Sequence, residues 1–232
     1  MGRDSDVNGR FIGAAIFGIA GVAVLLWLGF WQLDRLQWKL DLIERIETRI
    51  HNDPVPVPTD ATPGDDRYLP VIAQGRFTGE FANVLSSQRE AGQGVRIIAV
   101  LETDDGRRLL VDRGFVRESQ RDAYVAQADG VTVIGNLDWP GDRDSFTPDP
   151  DQGRNLYFAR DPLPIAEALD TEPVLIVARE DSAAAPPLST EPISGAALKN
   201  DHLEYALTWF MLATVWAVMT IALLWRIRRT SV

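Results

Sequence analysis

The sequence has 232 residues, a formal net charge of -10 and no cysteine. The lack of cysteine excludes disulfides, thiolate metal sites and a covalently attached c-type haem, and the acidic balance argues against a nucleic-acid-binding protein. The mean hydropathy of -0.07 conceals two kinds of segment, because apolar residues gather towards both ends and charged residues lie between them.

The first predicted element is a transmembrane helix over residues 11–31. Phe11–Trp31 contains no charged residue in 21 positions. At about 1.5 Å per residue, a helix of this length spans roughly 30 Å, the thickness of the hydrocarbon core of a bilayer. The run is longer than the apolar part of a cleaved signal peptide. We therefore predict an uncleaved anchor, preceded by a short tail over residues 1–10; a buried core helix is the alternative for one such run.

The helix is predicted to continue beyond the apolar run. Apolar residues recur at intervals of three or four, at Leu33, Leu36, Leu40, Ile43, Ile46 and Ile50. This single apolar stripe is typical of an amphipathic helix, so we predict a helical stalk over residues 32–53. It should end before Pro54, which with Pro56 and Pro58 favours extended backbone.

Residues 54–181 are predicted to form one α+β domain dominated by antiparallel sheet. The turn sequence Asp104-Asp105-Gly106 predicts a hairpin. Short helices are expected over Arg121–Ala128 and after Asp161, which would cap a helix that begins at Pro162. Strands are expected over Tyr68–Phe77, Val95–Glu102, Arg108–Val116, Val131–Leu137, Asn155–Ala159 and Val174–Arg179.

A second transmembrane helix is predicted over residues 205–225, after a linker over residues 182–204. Tyr205–Trp225 is again 21 residues without a charge, and the tail over residues 226–232 contains three arginines. Because Lys and Arg concentrate on the cytoplasmic side, we expect both termini there or in the matrix. The 171 residues from Asp34 to Glu204 carry 18 Lys and Arg against 31 Asp and Glu, and a loop of this length translocates largely regardless of charge.

His202 is one of only two histidines and lies where the linker meets the second span. On a helix it shares a face with Tyr205, Trp209, Leu212 and Trp216. An imidazole above such an aromatic column could ligate a haem iron. The alternative is an interfacial histidine among ordinary aromatic neighbours.

A second group of side chains lies at the end of the first span. Trp27, Trp31, Arg35 and Trp38 can share one helix face. Arg35 could pair with a haem propionate or a lipid phosphate, although an arginine reaching the membrane surface through a tryptophan belt is the alternative. The other histidine, His51, is interpreted as a surface or capping residue.

Catalytic motifs are absent from the sequence. It contains no G-x-S-x-G, H-E-x-x-H or P-loop pattern, and nothing pairs a nucleophile with a base. A binding or assembly role is therefore favoured over an enzyme. A membrane sensor would need an output module, and we expect none in the seven residues after the second span.

Residues 28–39 read LGFWQLDRLQWK and residues 200–210 read NDHLEYALTWF. They are similar to the G-x-W-Q-x-x-R-x-x-W-K and N-x-H-x-x-Y-x-x-T-W signatures of the Surfeit-one family of cytochrome c oxidase assembly proteins. Gly75–Phe77 and Leu110–Val116 are similar to the family's G-x-F and L-V-x-R-G-[WF]-V segments. Around Asn155–Phe158 the family often has a tryptophan, and here other aromatic residues stand in its place.

The resemblance implies a non-enzymatic role in maturing haem-copper terminal oxidases, with haem a as cargo for the large catalytic subunit. His202 matches the motif histidine and is the expected axial ligand of the haem iron. Trp31 and Trp209 are expected to form the walls of a groove, with Arg35 near the propionates. The expected haem-binding residues are His202, Tyr205, Trp209, Trp31, Gln32 and Arg35.

The resemblance also implies partners and a location. The expected partners are the oxidase large subunit, enzymes of haem a synthesis and the lipid bilayer, with no nucleic acid. The expected location is the bacterial or mitochondrial inner membrane, with the domain in the periplasm or intermembrane space. The alternative is a membrane-anchored scaffold that holds oxidase subunits without binding haem.

Overall fold

The computed structural model describes residues 3–194 and 200–229. The chain divides into two compact units, Met1–Arg45 with Ala196–Val232, and Ile46–Gly195. The helices are α1 (Arg3–Ile50), α2 (Pro162–Leu169) and α3 (His202–Arg229), and short 3-10 helices cover Glu118–Ala123 and Gln152–Arg154. The strands are β1 (Val55–Pro56), β2 (Pro70–Gln88), β3 (Gly92–Thr103), β4 (Arg108–Arg117), β5 (Gln127–Asp138), β6 (Leu156–Tyr157) and β7 (Leu175–Asp181).

The first unit contains α1 as far as Arg45, together with α3. Both helices are long and apolar enough to cross a membrane. Within the most apolar stretch of each helix, only 6% of the residues are buried. A core helix of a soluble protein would be mostly buried, so these exposed apolar surfaces fit a lipid environment. The structure therefore has a candidate membrane helix at each end of the chain, as the sequence predicts.

In the second unit, the carboxyl end of α1 is closely held. Ile50 is 3% exposed, and its carbonyl oxygen accepts hydrogen bonds from Asn136 Nδ2 at 3.1 Å and Arg179 Nη1 at 3.0 Å. The exposed His51 places Nδ1 2.8 Å from the carbonyl oxygen of Glu47. These contacts satisfy carbonyl groups that a helix end leaves unpaired. The interpretation of His51 as a surface and capping residue is confirmed.

The strands of the second unit form a sheet that closes on itself. The pairing order is β2-β3-β4-β7-β5, and β2 also pairs with β5. Gly75 lies opposite both Thr103 of β3 and Val131 of β5, so one strand contributes to both sides of the closure. The β4–β7 pair is parallel, whereas the other pairs of this ring are antiparallel. Closure removes the exposed edges of these strands.

Alternate residues of the strands enter two hydrophobic cores. Ile97 and Ala99 of β3 lie in the larger core inside the sheet. Ile98, between them, packs in a second core with Ile165 and Ala166 of α2. This follows from the two-residue period of a strand. Both faces of the central strands are therefore buried, and the prediction of one mainly antiparallel domain with a few short helices is confirmed.

Three local predictions differ from the structure. The strand expected over Asn155–Ala159 is limited to Leu156–Tyr157, since Asn155, with φ +49°, ends the preceding 3-10 helix. The strand expected over Tyr68–Phe77 begins at Pro70 and extends to Gln88, because Gly79, with φ +95°, lets the chain bend and continue pairing. The helix expected over Arg121–Ala128 is wrong: a 3-10 helix ends at Ala123 and β5 begins at Gln127.

The predicted cap of α2 and the predicted turn between β3 and β4 are confirmed. The Asp161 side chain accepts a hydrogen bond from the backbone N–H of Leu163 at 3.3 Å and caps α2, which begins at Pro162. The hairpin turn between β3 and β4 has Gly106 with φ +86°, and the Gly106 N–H donates to the Thr103 carbonyl at 2.9 Å. Glycine tolerates this backbone conformation without steric cost.

Candidate functional site

Glycines on α1 allow the side chains of α3 to approach its backbone. A Cβ atom on Gly21 would lie 2.3 Å from Trp216 Nε1, and one on Gly29 would lie 2.5 Å from Phe210 Cε1. Both distances are shorter than a real Cβ atom allows. Small residues serve the same purpose in packed membrane helices, where van der Waals contact replaces the hydrophobic effect. Gly21 and Gly29 therefore form the surface on which these α3 side chains lie.

Ring contacts and a hydrogen bond of Trp216 set the register of α3 against α1. The Trp216 indole Nε1–H donates to the carbonyl oxygen of Gly18 at 3.2 Å, and its ring lies 5.5 Å from that of Phe17. Further along, Phe30 and Phe210 meet edge to face at 5.4 Å. As the contacts advance along α1 they retreat along α3, so the helices are antiparallel.

The same antiparallel register brings Gln32 to His202. Gln32 is one helical turn beyond Gly29 on α1, and His202 begins α3. The distance from His202 Nδ1 to Gln32 Oε1 is 2.8 Å, a good hydrogen bond between partly buried side chains. Two residues of the expected haem-binding set, 170 positions apart in the chain, are therefore in direct contact.

This contact has a definite consequence for the imidazole. A carboxamide oxygen accepts hydrogen bonds, so the partner nitrogen Nδ1 must carry the proton. In a neutral ring, Nε2 then has the lone pair. Metal-bound histidines typically donate from one ring nitrogen to a fixed acceptor and bind the metal with the other. With Gln32 Oε1 as the acceptor, a neutral His202 ring has its lone pair on Nε2.

Arg35 lies on the face of Trp38, not isolated in solvent. Its guanidinium carbon is 3.9 Å from the centroid of the indole ring, within the range of a cation–π interaction. Both side chains belong to α1 and are three residues apart, so they occupy the same side of the helix. Stacking uses the flat face of the guanidinium and leaves its N–H edge for a carboxylate or phosphate.

The remaining residues of the expected set present aromatic surface. Trp31 is 48% exposed and Tyr205 56% exposed, so neither ring is buried between the two helices. Trp209 is partly buried, and its indole Nε1 is buried without a hydrogen-bond partner in the structure. Such an unpaired group is uncommon and costs free energy. The grouping of these rings around a haem stays a prediction.

The described residues contain no group of three His, Cys, Asp or Glu side chains placed to hold a metal ion. A protein-built metal centre of the zinc or calcium type is therefore not present among them. Haem iron differs, because the macrocycle supplies four nitrogen ligands and the protein needs to add only an axial one.

Sequence reasoning missed the structural role of the L-V-D-R-G-F-V segment. Arg113 is 1% exposed and donates from Nε to Asp181 Oδ2 at 2.7 Å, from Nη1 to the Tyr124 hydroxyl at 2.9 Å and from Nη2 to the Ala183 carbonyl at 3.0 Å. Its guanidinium also lies 4.0 Å from the centroid of the Phe77 ring. Arg113 therefore ties β4 to the end of β7 and to the segment that follows it.

The part of the predicted linker that the structure describes before Gly195 is attached to the sheet. Ser189 exchanges backbone hydrogen bonds with Phe115 at 2.8 and 2.9 Å.

Arg96 forms ion pairs with both Glu191 of this segment and the buried Asp112 of β4. Burial raises the pKa of Asp112 above its usual value, although Arg96 favours the charged carboxylate. The motif arginine Arg113 was visible in the sequence, but its partners Asp181 and Ala183 lie 68 and 70 residues away.

Comparisons with known proteins point to one family. A protein-family model described as the SURF1 family matches residues 19–214. Surfeit locus protein 1 of Xenopus tropicalis is 31% identical over 208 residues, covering 79% of this chain and 66% of the relative. The Homo sapiens protein of the same name is 31% identical over 211 residues, covering 80% and 69%. A SURF1-like protein of Drosophila melanogaster is 30% identical over 212 residues, with the same coverage.

The aligned region spans about two thirds of the length of these relatives. The family match includes most of α1, the whole described domain and the first half of α3. It therefore contains both Gln32 and His202. The chain belongs to the SURF1 family.

Proposed function

We propose that this protein is an assembly factor for haem-copper terminal oxidases, which binds haem a and aids its insertion into the large catalytic subunit. The observation that carries the proposal is the His202–Gln32 hydrogen bond of 2.8 Å. It gives an imidazole with Nε2 available at one end of a pair of apolar helices. A haem-binding role without enzymatic activity fits a chain that has no catalytic motif.

The residues around His202 fit a haem a macrocycle in their chemistry. Haem is a large apolar ring, and the half-exposed rings of Trp31 and Tyr205 offer aromatic surface for it. Trp209 supplies an indole N–H that lacks a partner in the structure. The Arg35 guanidinium, stacked on Trp38, can donate two parallel hydrogen bonds to a propionate. Iron in the bound haem supplies the Lewis acid that the Nε2 lone pair would engage.

A carrier must also release its cargo. Gln32 is a neutral acceptor, and it leaves the imidazole a weaker electron donor than a carboxylate partner would. One histidine ligand and exposed aromatic side chains would hold haem less tightly than a closed pocket with two strong ligands. The site is therefore suited to transfer, not permanent retention, of the cofactor.

The partners follow from this role. The oxidase large subunit is the proposed recipient, and enzymes of haem a synthesis are the proposed donors. We place the protein in the bacterial or mitochondrial inner membrane, with the domain in the periplasm or intermembrane space and both termini on the cytoplasmic or matrix side. The arginines in the last turn of α3, Arg226, Arg228 and Arg229, support this orientation.

A scaffold that holds oxidase subunits without touching haem is the second candidate. The observation that favours it is Phe146, which is 90% exposed on a loop ordered by hydrogen bonds to Asp144 and an Arg143–Asp149 ion pair of 2.7 Å. A large apolar side chain held in solvent is typical of a protein-binding surface. Such a surface is also compatible with a haem carrier that docks on its recipient.

The test is performed in cells that lack their own copy of this factor. Wild type, His202→Ala and His51→Ala are expressed, and haem a in the assembled oxidase is measured from membrane spectra. His51 is the matched control because it is the other histidine and is exposed at the helix end. We expect His51→Ala to support assembly like wild type and His202→Ala to lose it. Full assembly with His202→Ala would overturn the carrier proposal in favour of the scaffold.

A further inference from the structure

The contact between Gln32 and His202 assigns a role to α1 as well as to α3. Gln32 Oε1 and His202 Nδ1 come from different helices and are 2.8 Å apart. One helical turn before Gln32, the Phe210 ring of α3 packs against Gly29 of α1. The same ring contacts Phe30, with the ring centroids 5.4 Å apart. The amide oxygen is therefore presented by a packed region of the helix pair and not by a loose chain end.

The chemical type of the acceptor determines which nitrogen of the ring remains basic. A free histidine exchanges between its two neutral tautomers, and either nitrogen can bind iron. An acceptor that sits on Nδ1 stabilises the tautomer with the proton there. The hydrogen bond also restricts rotation of the histidine side chain about χ1 and χ2. Both effects reduce what must be reorganised when a ligand binds Nε2.

We propose that Gln32 is a positioning residue for the haem site: it holds the His202 ring with Nδ1 protonated and so selects Nε2 as the iron ligand. This inference rests on the proposed haem-binding role of His202. It adds that the site is composite, since α3 supplies the ligand and α1 supplies the group that orients it. Gln32 itself does not touch iron.

The neutral amide also limits the strength of the ligand. A carboxylate at this position would draw the Nδ1 proton more strongly and give the imidazole more imidazolate character. A more electron-rich ligand stabilises ferric relative to ferrous iron and lowers the reduction potential of the haem. Glutamate has nearly the same shape as glutamine, so Gln32→Glu changes the acceptor while keeping its reach.

The experiment uses the full chain purified in detergent without haem. Haem a is titrated into wild type, Gln32→Leu, Gln32→Glu, His202→Ala and the control Gln37→Leu, an exposed glutamine on the same helix. The dissociation constant is taken from the visible absorbance, and the reduction potential from a spectroelectrochemical titration. Far-ultraviolet circular dichroism and gel filtration verify that each variant is folded.

We expect Gln32→Leu to bind haem a about 10- to 100-fold more weakly than wild type, the usual effect of losing such an orienting partner. Haem a bound to Gln32→Glu should have a lower reduction potential, the direction expected when a carboxylate accepts the hydrogen bond from Nδ1. Gln37→Leu should match wild type in both measurements. If Gln32→Leu is not recovered folded, the decision rests on Gln32→Glu. A reduction potential equal to that of wild type would then overturn the positioning role.

The two proposals fail in distinguishable ways. If His202→Ala loses haem a while both Gln32 variants keep the wild-type affinity and potential, the positioning role is overturned and the carrier proposal stands. If His202→Ala binds haem a as well as wild type, His202 is not the ligand and both proposals are overturned.

Discussion

Replacing Arg113 with methionine should destabilise the domain strongly. The Arg113 side chain is 2% exposed and that of its partner Asp181 0% exposed, so the substitution leaves a buried carboxylate without its counter-charge. It also leaves the Ala183 carbonyl without its guanidinium donor. Removing one member of a buried ion pair costs about 3–5 kcal/mol. For a chain of this size, that corresponds to a fall in Tm of roughly 6–20 °C.

The assay is thermal unfolding of the full chain in detergent, followed by intrinsic tryptophan fluorescence. The double variant Arg113→Met with Asp181→Leu removes both charges, and methionine can still contact the Phe77 ring. It should therefore recover most of the lost Tm. Arg117→Met, at an exposed position of the same strand, is the matched control and should change the unfolding free energy by less than about 0.5 kcal/mol. A double variant as unstable as Arg113→Met would refute the reasoning.

Three further outcomes are expected. Gly29→Leu puts a side chain where the Phe210 ring lies, since even a Cβ atom would be 2.5 Å from the ring. The visible absorbance should then show less haem a per chain, although His202 is intact. The control Gly13→Leu, at a site with open space, should bind as much haem a as wild type. Arg35→Ala removes the proposed propionate partner and should weaken haem a binding in the same titration; unchanged binding would remove Arg35 from the site. A hydrogen bond from Arg108 lowers the pKa of Glu80, so ionised Glu80 stabilises the fold above the ordinary carboxyl pKa, and this contribution is lost as the pH falls through the lowered value. The Tm difference between wild type and Glu80→Gln should therefore shrink between about pH 6 and pH 3, and a constant difference would contradict the assignment.

Local patterns in the sequence predict the elements that depend on neighbouring residues. The apolar runs of α1 and α3 are recognisable because a bilayer demands about twenty apolar residues in succession. The cap and first turn of α2 are recognisable from Asp161 and Pro162 for the same local reason. The helix predicted over Arg121–Ala128 is wrong because the Tyr124 hydroxyl accepts a hydrogen bond from Arg113, a contact that no local periodicity reveals.

Long-range contacts explain the rest. The pairing of β2 with both β3 and β5 closes the sheet, and nothing within β2 indicates two partners. The two motif segments indicated Gln32 and His202 separately. Their hydrogen bond depends on the relative register of α1 and α3, which is set by contacts such as Trp216 with Gly18. The candidate residues could therefore be predicted from the sequence, but the chemistry that joins them required the structure.

The most direct test of haem carriage is the visible spectrum of this protein purified in detergent from cells able to make haem a. Wild type is compared with His202→Ala, and His51→Ala serves as the control. Haem carriage through His202 predicts a haem a band in wild type and His51→Ala that is absent from folded His202→Ala. A band of equal intensity in His202→Ala, or no band in folded wild type, would contradict it.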